Sequence, residues 1–151
     1  MPVSHPTLLS IGTLVPDFRL LDQRGYSLGL ADGMGEHGLI LLFFSSFWLP
    51  GDLNLLKAYT QAFPELQKAG LGVMAVSGIN WETQHHLAKR LQSPFPLLFD
   101  PCCRVSKAYH TMMVPKFVTG RAIYGLDSKY HVKLASQKIS PQAMLAAFSE
   151  S

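Results

Sequence analysis

The stretch GLILLFFSSFWLPGDLNLL, from Gly38 to Leu56, decides the fold class of this chain. Its first part, up to Phe44, contains only glycine, leucine, isoleucine and phenylalanine, a pattern typical of a strand buried on both faces of a sheet. A Pro-Gly turn then opens a helix that the sequence predicts from about Gly51 to Ala69. Leu56, Tyr59, Phe63 and Leu66 form the predicted apolar stripe of this helix. Gly70 is predicted to end it. A buried strand that leads into an amphipathic helix predicts an α/β fold.

The rest of the chain continues to alternate apolar runs with helix-period segments. Alternation at 17–20, followed by turn residues at 22–25, predicts an edge hairpin. Downstream we predict strands at Gly72–Val76 and Pro96–Phe99, a helix at Trp81–Leu91 capped by Asn80, a hairpin of Arg121–Leu126 and His131–Ala135, and a last helix from Ser140 to Phe148. The order βαβ followed by ββα predicts a mixed sheet with helices on both faces, in a single domain spanning residues 1–151.

Composition excludes several classes of function. The chain has 151 residues, of which 48% are hydrophobic and 15% charged, as expected for a soluble globular domain with a full core. Its net charge is +3, but the basic residues are scattered, which argues against nucleic-acid binding. No apolar run approaches the ~20 residues that span a bilayer, and the N-terminus does not resemble a signal peptide. We therefore expect a cytosolic protein with no membrane partner.

The sequence offers no recognisable metal or cofactor site. The adjacent pair His85-His86 lies on the second predicted helix, where neighbouring side chains point to different faces and cannot share a metal ion. No HxxxH or CxxC spacing occurs. We expect no metal and no cofactor.

The two cysteines, Cys102 and Cys103, follow a second helix-start signal. Asp100 is a typical cap and Pro101 a typical first helical residue, so both thiols should lie in the first helical turn. There the helix dipole and Arg104 would stabilise a thiolate, which makes the pair a possible redox site. Adjacent helical side chains diverge, however, so a disulfide between them would distort the turn. The alternative is that they are ordinary buried cysteines.

Taken in order, several segments resemble the peroxiredoxins (the AhpC/TSA family), closest to the bacterioferritin-comigratory type. The resemblance covers roughly Ile11 to Phe148 and implies a thioredoxin fold. The segments that carry it are Val15–Phe18, Leu21–Gly25, the strand into Pro50-Gly51, Gly72–Ser77, Phe95–Leu98 with Asp100-Pro101, Val105–Tyr109 and Arg121–Asp127.

The resemblance fails at the family's active-site motif. Peroxiredoxins carry a proline, a threonine or serine, and the peroxidatic cysteine on this loop and first helical turn. Here Ser45, Leu49 and Asp52 stand at those positions, in that order, and only Pro50, Gly51 and the later Arg121 remain. A thiolate can attack the O–O bond and become a sulfenic acid, whereas a carboxylate has no such oxidation step. Position 52 should therefore not support peroxidase turnover, and we predict that Asp52 caps the helix and pairs with Arg121.

The loop before this helix is unusually apolar. Phe47, Trp48 and Leu49 either fill the vacated pocket or form a subunit contact next to Pro50, because aromatic residues often anchor interfaces.

Three functions remain open. The chain could be a non-catalytic interaction or assembly module that forms a homodimer or binds a protein partner. It could be a thiol oxidoreductase or redox sensor that uses Cys102 or Cys103. It could also bind or turn over a different small molecule in the pocket of Asp52 and Arg121, with Asp52 as acid or base.

Overall fold

A computed structural model describes residues 8–44, 50–113, 118–119 and 121–149. Its main sheet has seven strands in the order β2-β1-β5-β4-β3-β8-β9. These strands are β1 (Leu20–Leu21), β2 (Ser27–Leu28), β3 (Gly38–Phe44), β4 (Leu71–Ser77), β5 (Leu97–Phe99), β8 (Ala122–Asp127) and β9 (Val132–Ser136). A separate two-stranded sheet joins β6 (Met112–Met113) to β7 (Val118–Thr119). The helices are α1 (Leu30–Gly33), α2 (Pro50–Lys68), α3 (Trp81–Leu91), α4 (Arg104–Ala108) and α5 (Pro141–Ser149).

Strand β3 is an interior strand of the sheet, as its apolar sequence predicts. All of its residues are buried. It runs parallel to β4, with Phe43 opposite Val76, and antiparallel to β8, with Phe43 opposite Ala122. Strand β5 extends the parallel part beyond β4. The mixed sheet predicted from the sequence is therefore confirmed.

Helices cover both faces of this sheet. On one face, α2, α3 and α5 pack over residues such as Ile40 and Leu42. On the other face, α1 and α4 contribute Leu30 and Val105 to a cluster with Leu41. The side chains of β3 point alternately to the two faces of the sheet and divide the core into two layers, each covered by its own helices.

The two long helices begin and end close to the predicted residues. Helix α2 is followed by Gly70, whose φ of +80° is the left-handed conformation that favours glycine after a helix. The α2 residues Leu56, Tyr59 and Leu66 are fully buried. Helix α3 has the predicted bounds, and the Asn80 side chain accepts a hydrogen bond from the Thr83 amide at 2.8 Å.

The helix predicted to start at Pro101 is present, but it starts at Arg104, so the predicted start is wrong. A short 3-10 turn, Pro101–Cys103, precedes α4, and Cys102 and Cys103 have φ values of +57° and +54°. These left-handed residues interrupt the right-handed helix that the Asp-Pro signal predicts. The elements predicted from the sequence also do not include α1 or the β6 and β7 pair.

Within the residues that the structure describes, no helix is both long enough and apolar enough to cross a membrane.

Candidate functional site

The candidate site lies at one edge of the sheet. Strands β3, β4 and β5 are parallel, so their carboxyl ends lie at the same edge. Helix α2 starts after β3, and Arg121 directly precedes β8, whose first residue Ala122 is opposite Phe43 near the end of β3. The topology therefore brings the start of α2 and Arg121 together, although they are distant in sequence.

Asp52 and Arg121 form an ion pair at this edge. The Arg121 Nε atom lies 3.3 Å from the Asp52 Oδ1 atom. The Asp52 side chain is 1% exposed, whereas that of Arg121 is 31% exposed. Gly51 lies alongside the guanidinium group, since a Cβ atom at Gly51 would be 3.4 Å from the Arg121 Nη1 atom. The predicted pairing of Asp52 with Arg121 is confirmed.

Asp52 does not occupy the capping position that we predicted. Helix α2 begins at Pro50, so Asp52 is its third residue and lies within the first turn. A carboxylate in this turn still interacts favourably with the helix dipole. Its charge is therefore stabilised by Arg121 and by the start of the helix, and it is shielded from solvent.

The thiol pair lies at the same edge, after β5. Cys102 is exposed, Cys103 is partly buried, and neither is in a disulfide. The Cys103 Sγ atom packs against the loop after β4, where a Cβ atom on Gly78 would be only 2.7 Å from it. Gly78 therefore allows this close approach.

The Asp100 side chain accepts hydrogen bonds from the start of α4. Its Oδ1 atom accepts the Val105 amide at 3.0 Å, and its Oδ2 atom accepts the Ser106 amide at 2.8 Å and the Ser106 hydroxyl at 2.9 Å. The prediction that both cysteines lie in the first turn of a helix is wrong. The amides of α4 bind the buried Asp100 carboxylate, so the dipole argument for a thiolate no longer applies.

Sequence reasoning missed one residue near these loops, Gln84. Its Nε2 atom donates to the carbonyl oxygens of Ser77 and Ile79, at 3.0 and 3.2 Å. Its Oε1 atom is buried without a hydrogen-bond partner in the described residues. A buried glutamine in an otherwise polar helix gives no sequence signal, because its burial depends on tertiary packing.

In the adjacent pair His85-His86, the two rings contact each other and His85 also contacts neighbouring residues. The His85 ring stacks on Trp81 with centroids 5.0 Å apart, and its Nδ1 atom lies 2.8 Å from the Gln23 carbonyl oxygen. No three His, Cys, Asp or Glu residues in the described ranges are placed to hold a metal ion.

Comparison with known proteins places this architecture in a family. The family model described as "AhpC/TSA family" matches residues 11–135, most of the chain. The chain belongs to the AhpC/TSA family. It is 30% identical to chloroplastic peroxiredoxin Q of Triticum aestivum over 125 residues, which cover 80% of this chain and 56% of the relative. It is also 30% identical to chloroplastic peroxiredoxin Q of Sedum lineare over 127 residues, covering 82% and 66%. This AhpC/TSA chain thus spans between half and two thirds of the length of these two relatives.

Solved structures show the same fold. Peroxidoxin BcpB from Mycobacterium tuberculosis superposes with a TM-score of 0.84 at 20% identity, covering 93% of this AhpC/TSA chain and 96% of the other. Peroxiredoxin Q from Xanthomonas campestris gives 0.77 at 21% identity, covering 88% and 90%. The resemblance to peroxiredoxins and the thioredoxin-like fold are confirmed.

Two predicted motif positions of this AhpC/TSA protein, Ser45 and Leu49, lie outside the described residues, as do Phe47 and Trp48, which were predicted to fill a pocket or form a contact. Pro50 is described only as the first residue of α2. The equivalence of Asp52 with the family's peroxidatic position stays a prediction from the resemblance. Both cysteines of the chain are at 102 and 103, so no thiol is present in α2.

Proposed function

We propose that this AhpC/TSA-family protein does not reduce peroxides through residue 52 and acts as a non-catalytic interaction or assembly module. The supporting observation is the ion pair between Arg121 and the buried Asp52 carboxylate, which lies in the first turn of α2. A peroxidatic thiolate needs this kind of electrostatic environment. A carboxylate is stabilised by the same environment, but it cannot be oxidised and reduced as a thiolate can.

The proposed contact surface is the segment that contains Phe47, Trp48 and Leu49. Its support comes from the sequence, because three consecutive large apolar residues next to a helix start are suited to anchoring an interface. The partner is a second copy of the chain or another protein.

The catalytic part of the proposal is tested by peroxide consumption with dithiothreitol as reductant. We expect the wild-type protein to consume hydrogen peroxide no faster than buffer, and Asp52→Asn to match it. Asp52→Cys places a thiol beside Arg121 and should give a stoichiometric burst. Catalytic turnover by the wild-type protein, lost in a variant with both cysteines replaced by serine, would show that the chain is a peroxidase by another route.

The assembly part is tested by light scattering over a range of protein concentrations. We expect an oligomer that Trp48→Ala weakens, whereas Tyr26→Ala, which removes an aromatic side chain that is 60% exposed elsewhere, leaves it unchanged. A wild-type monomer at every concentration, with no protein retained on a column carrying this chain, would contradict the proposal.

A second candidate function is thiol redox chemistry at Cys102. The exposure of Cys102 favours it, because thiol oxidation requires access to solvent. Intact-mass analysis after stoichiometric hydrogen peroxide, with a sulfenic-acid trap, tests it on the wild type, Cys102→Ser and Cys103→Ser. An adduct absent only from Cys102→Ser would place this function first, and an unmodified wild-type protein would remove it.

Use of the Asp52 and Arg121 pocket for a different small molecule is the least supported function. An acid or base must reach the reacting atoms, and the Asp52 carboxylate is 1% exposed.

A cytosolic location stays a prediction from the sequence, and the plant relatives are named as chloroplastic proteins.

A further inference from the structure

A groove lies at the sheet edge opposite Asp52. It is formed where β3 begins, where β8 turns into β9, and along the last turns of α5. Its volume is about 930 Å³, which is within the range of known small-molecule sites. It shares no residue with the Asp52 and Arg121 pair.

One wall of the groove is apolar and fixed in position. It consists of Leu145, Ala146 and Phe148 of α5. The Phe148 ring packs on two glycines of the sheet, because a Cβ atom would lie 2.7 Å from it at Gly38 and 3.0 Å at Gly125. Since Ala146 is exposed and small, it leaves room beside the ring.

The groove contains a positively charged side chain, Lys133, that forms no ion pair within the described residues. The Lys133 ammonium lies 4.8 Å from the centroid of the Phe148 ring, and among the described residues no carboxylate lies within ion-pair distance of it. A cation held over an aromatic face keeps its remaining N–H donors available for an anion.

The acidic residue of the groove, Asp127, is already engaged. Its Oδ1 atom accepts the amides of Lys129 and His131, at 2.9 and 3.0 Å, and lies 3.5 Å from the His131 Nδ1 atom. Burial works to raise the pKa of Asp127, but the His131 and Lys129 amides and the nearby His131 ring hold it below its usual value. Among the described residues, the ion pair of Asp127 is with His131 and not with Lys133.

We propose that this groove binds amphipathic carboxylates. The carboxylate would pair with Lys133, and the apolar body would lie along Leu145 and Phe148. Ser128 and His37 line the same groove and supply further polar groups. A ligand with a compact anionic head and a short hydrocarbon body matches both the unpaired cation and the apolar wall.

The test is titration of the isotope-labelled protein with octanoate, followed by amide chemical shifts. We expect saturable shifts confined to α5 and the β8–β9 turn. Lys133→Met keeps the aliphatic stem and should lower the affinity for octanoate by a factor of about five, which is the effect of losing one partly exposed ion pair. The matched control is Lys138→Met, an exposed lysine outside the groove, which should leave the affinity unchanged.

Two comparisons protect the test against misleading results. Octylammonium has the same hydrocarbon body and the opposite charge, so it should bind at least several-fold more weakly than octanoate. Ala146→Glu adds an anion at an exposed helix position and should abolish octanoate binding without unfolding α5. Equal binding of the two amphiphiles, shifts spread over the whole surface, or full affinity in Lys133→Met would each overturn the proposal.

Discussion

Two buried aspartates follow two parallel strands of one sheet, and they stabilise helix starts in different ways. Asp52, after β3, is 1% exposed and pairs with the side chain of Arg121. Asp100, after β5, is fully buried and pairs with the backbone amides of Val105 and Ser106. The first partner comes from a distant part of the sequence, and the second partners lie within six residues.

This difference separates a site that could have held another anion from one that could not. A guanidinium that is one-third exposed can pair with a thiolate, a carboxylate or a small ligand. The donors around Asp100 are buried and local, so any replacement must fill the same volume and accept the same hydrogen bonds. The start of α2 is therefore an adaptable position, and the start of α4 is a structural one.

The largest effect that we predict is from Asp100→Ala. It leaves two buried amides and the Ser106 hydroxyl without an acceptor, so it should lower the free energy of unfolding by about 3 kcal/mol. Urea denaturation at neutral pH measures this change. Asp100→Asn keeps one carbonyl oxygen as an acceptor and should cost about half as much. A loss below about 1 kcal/mol for Asp100→Ala would contradict a structural role.

Asp52→Ala should have a smaller effect. Arg121 can turn its partly exposed guanidinium to solvent, so we expect a loss of about 1–2 kcal/mol in the same urea experiment. Arg121→Met should cost more than Asp52→Ala, because it leaves the carboxylate buried without its cation. If the order of these two variants is reversed, Asp52 does not depend on Arg121 and the adaptable site is misassigned.

Gly78→Ala probes the contact between the loop after β4 and the thiol turn. The added Cβ atom would lie 2.7 Å from the Cys103 Sγ atom, and the φ of Gly78 is not positive, so the cost is steric. We expect a loss of about 1 kcal/mol, as for modest overpacking. In a Cys103→Ala background the sulfur is absent, and the same substitution should cost less. Equal costs in both backgrounds would mean that the contact does not restrict this turn.

Much of the fold could be predicted because local signals agreed with it. The apolar run of β3, the glycine after α2 and the Asn80 cap of α3 each act within a few residues. The pairing of Asp52 with Arg121 could be predicted only through the family resemblance, since nothing local links two residues so far apart.

The start of α4 could not be predicted, although its signals were strong. Asp100-Pro101 is a typical helix start, but the carboxylate reaches past the cysteines to the amides of Val105 and Ser106. The intervening residues must then adopt a left-handed turn, a tertiary requirement that propensity does not encode.

The smallest effect that we predict is from Cys102→Gly, and it has the opposite sign. Cys102 has a φ of +57°, a conformation that costs less in glycine, so relief of this strain should outweigh the extra freedom of the unfolded chain. We expect a gain of about 0.5 kcal/mol, and in contrast a loss of about 1 kcal/mol for Ala58→Gly within α2. Urea denaturation of both variants decides the matter: if Cys102→Gly is as costly as Ala58→Gly, residue 102 is right-handed helical in solution, and the two helix starts are more alike than their geometry indicates.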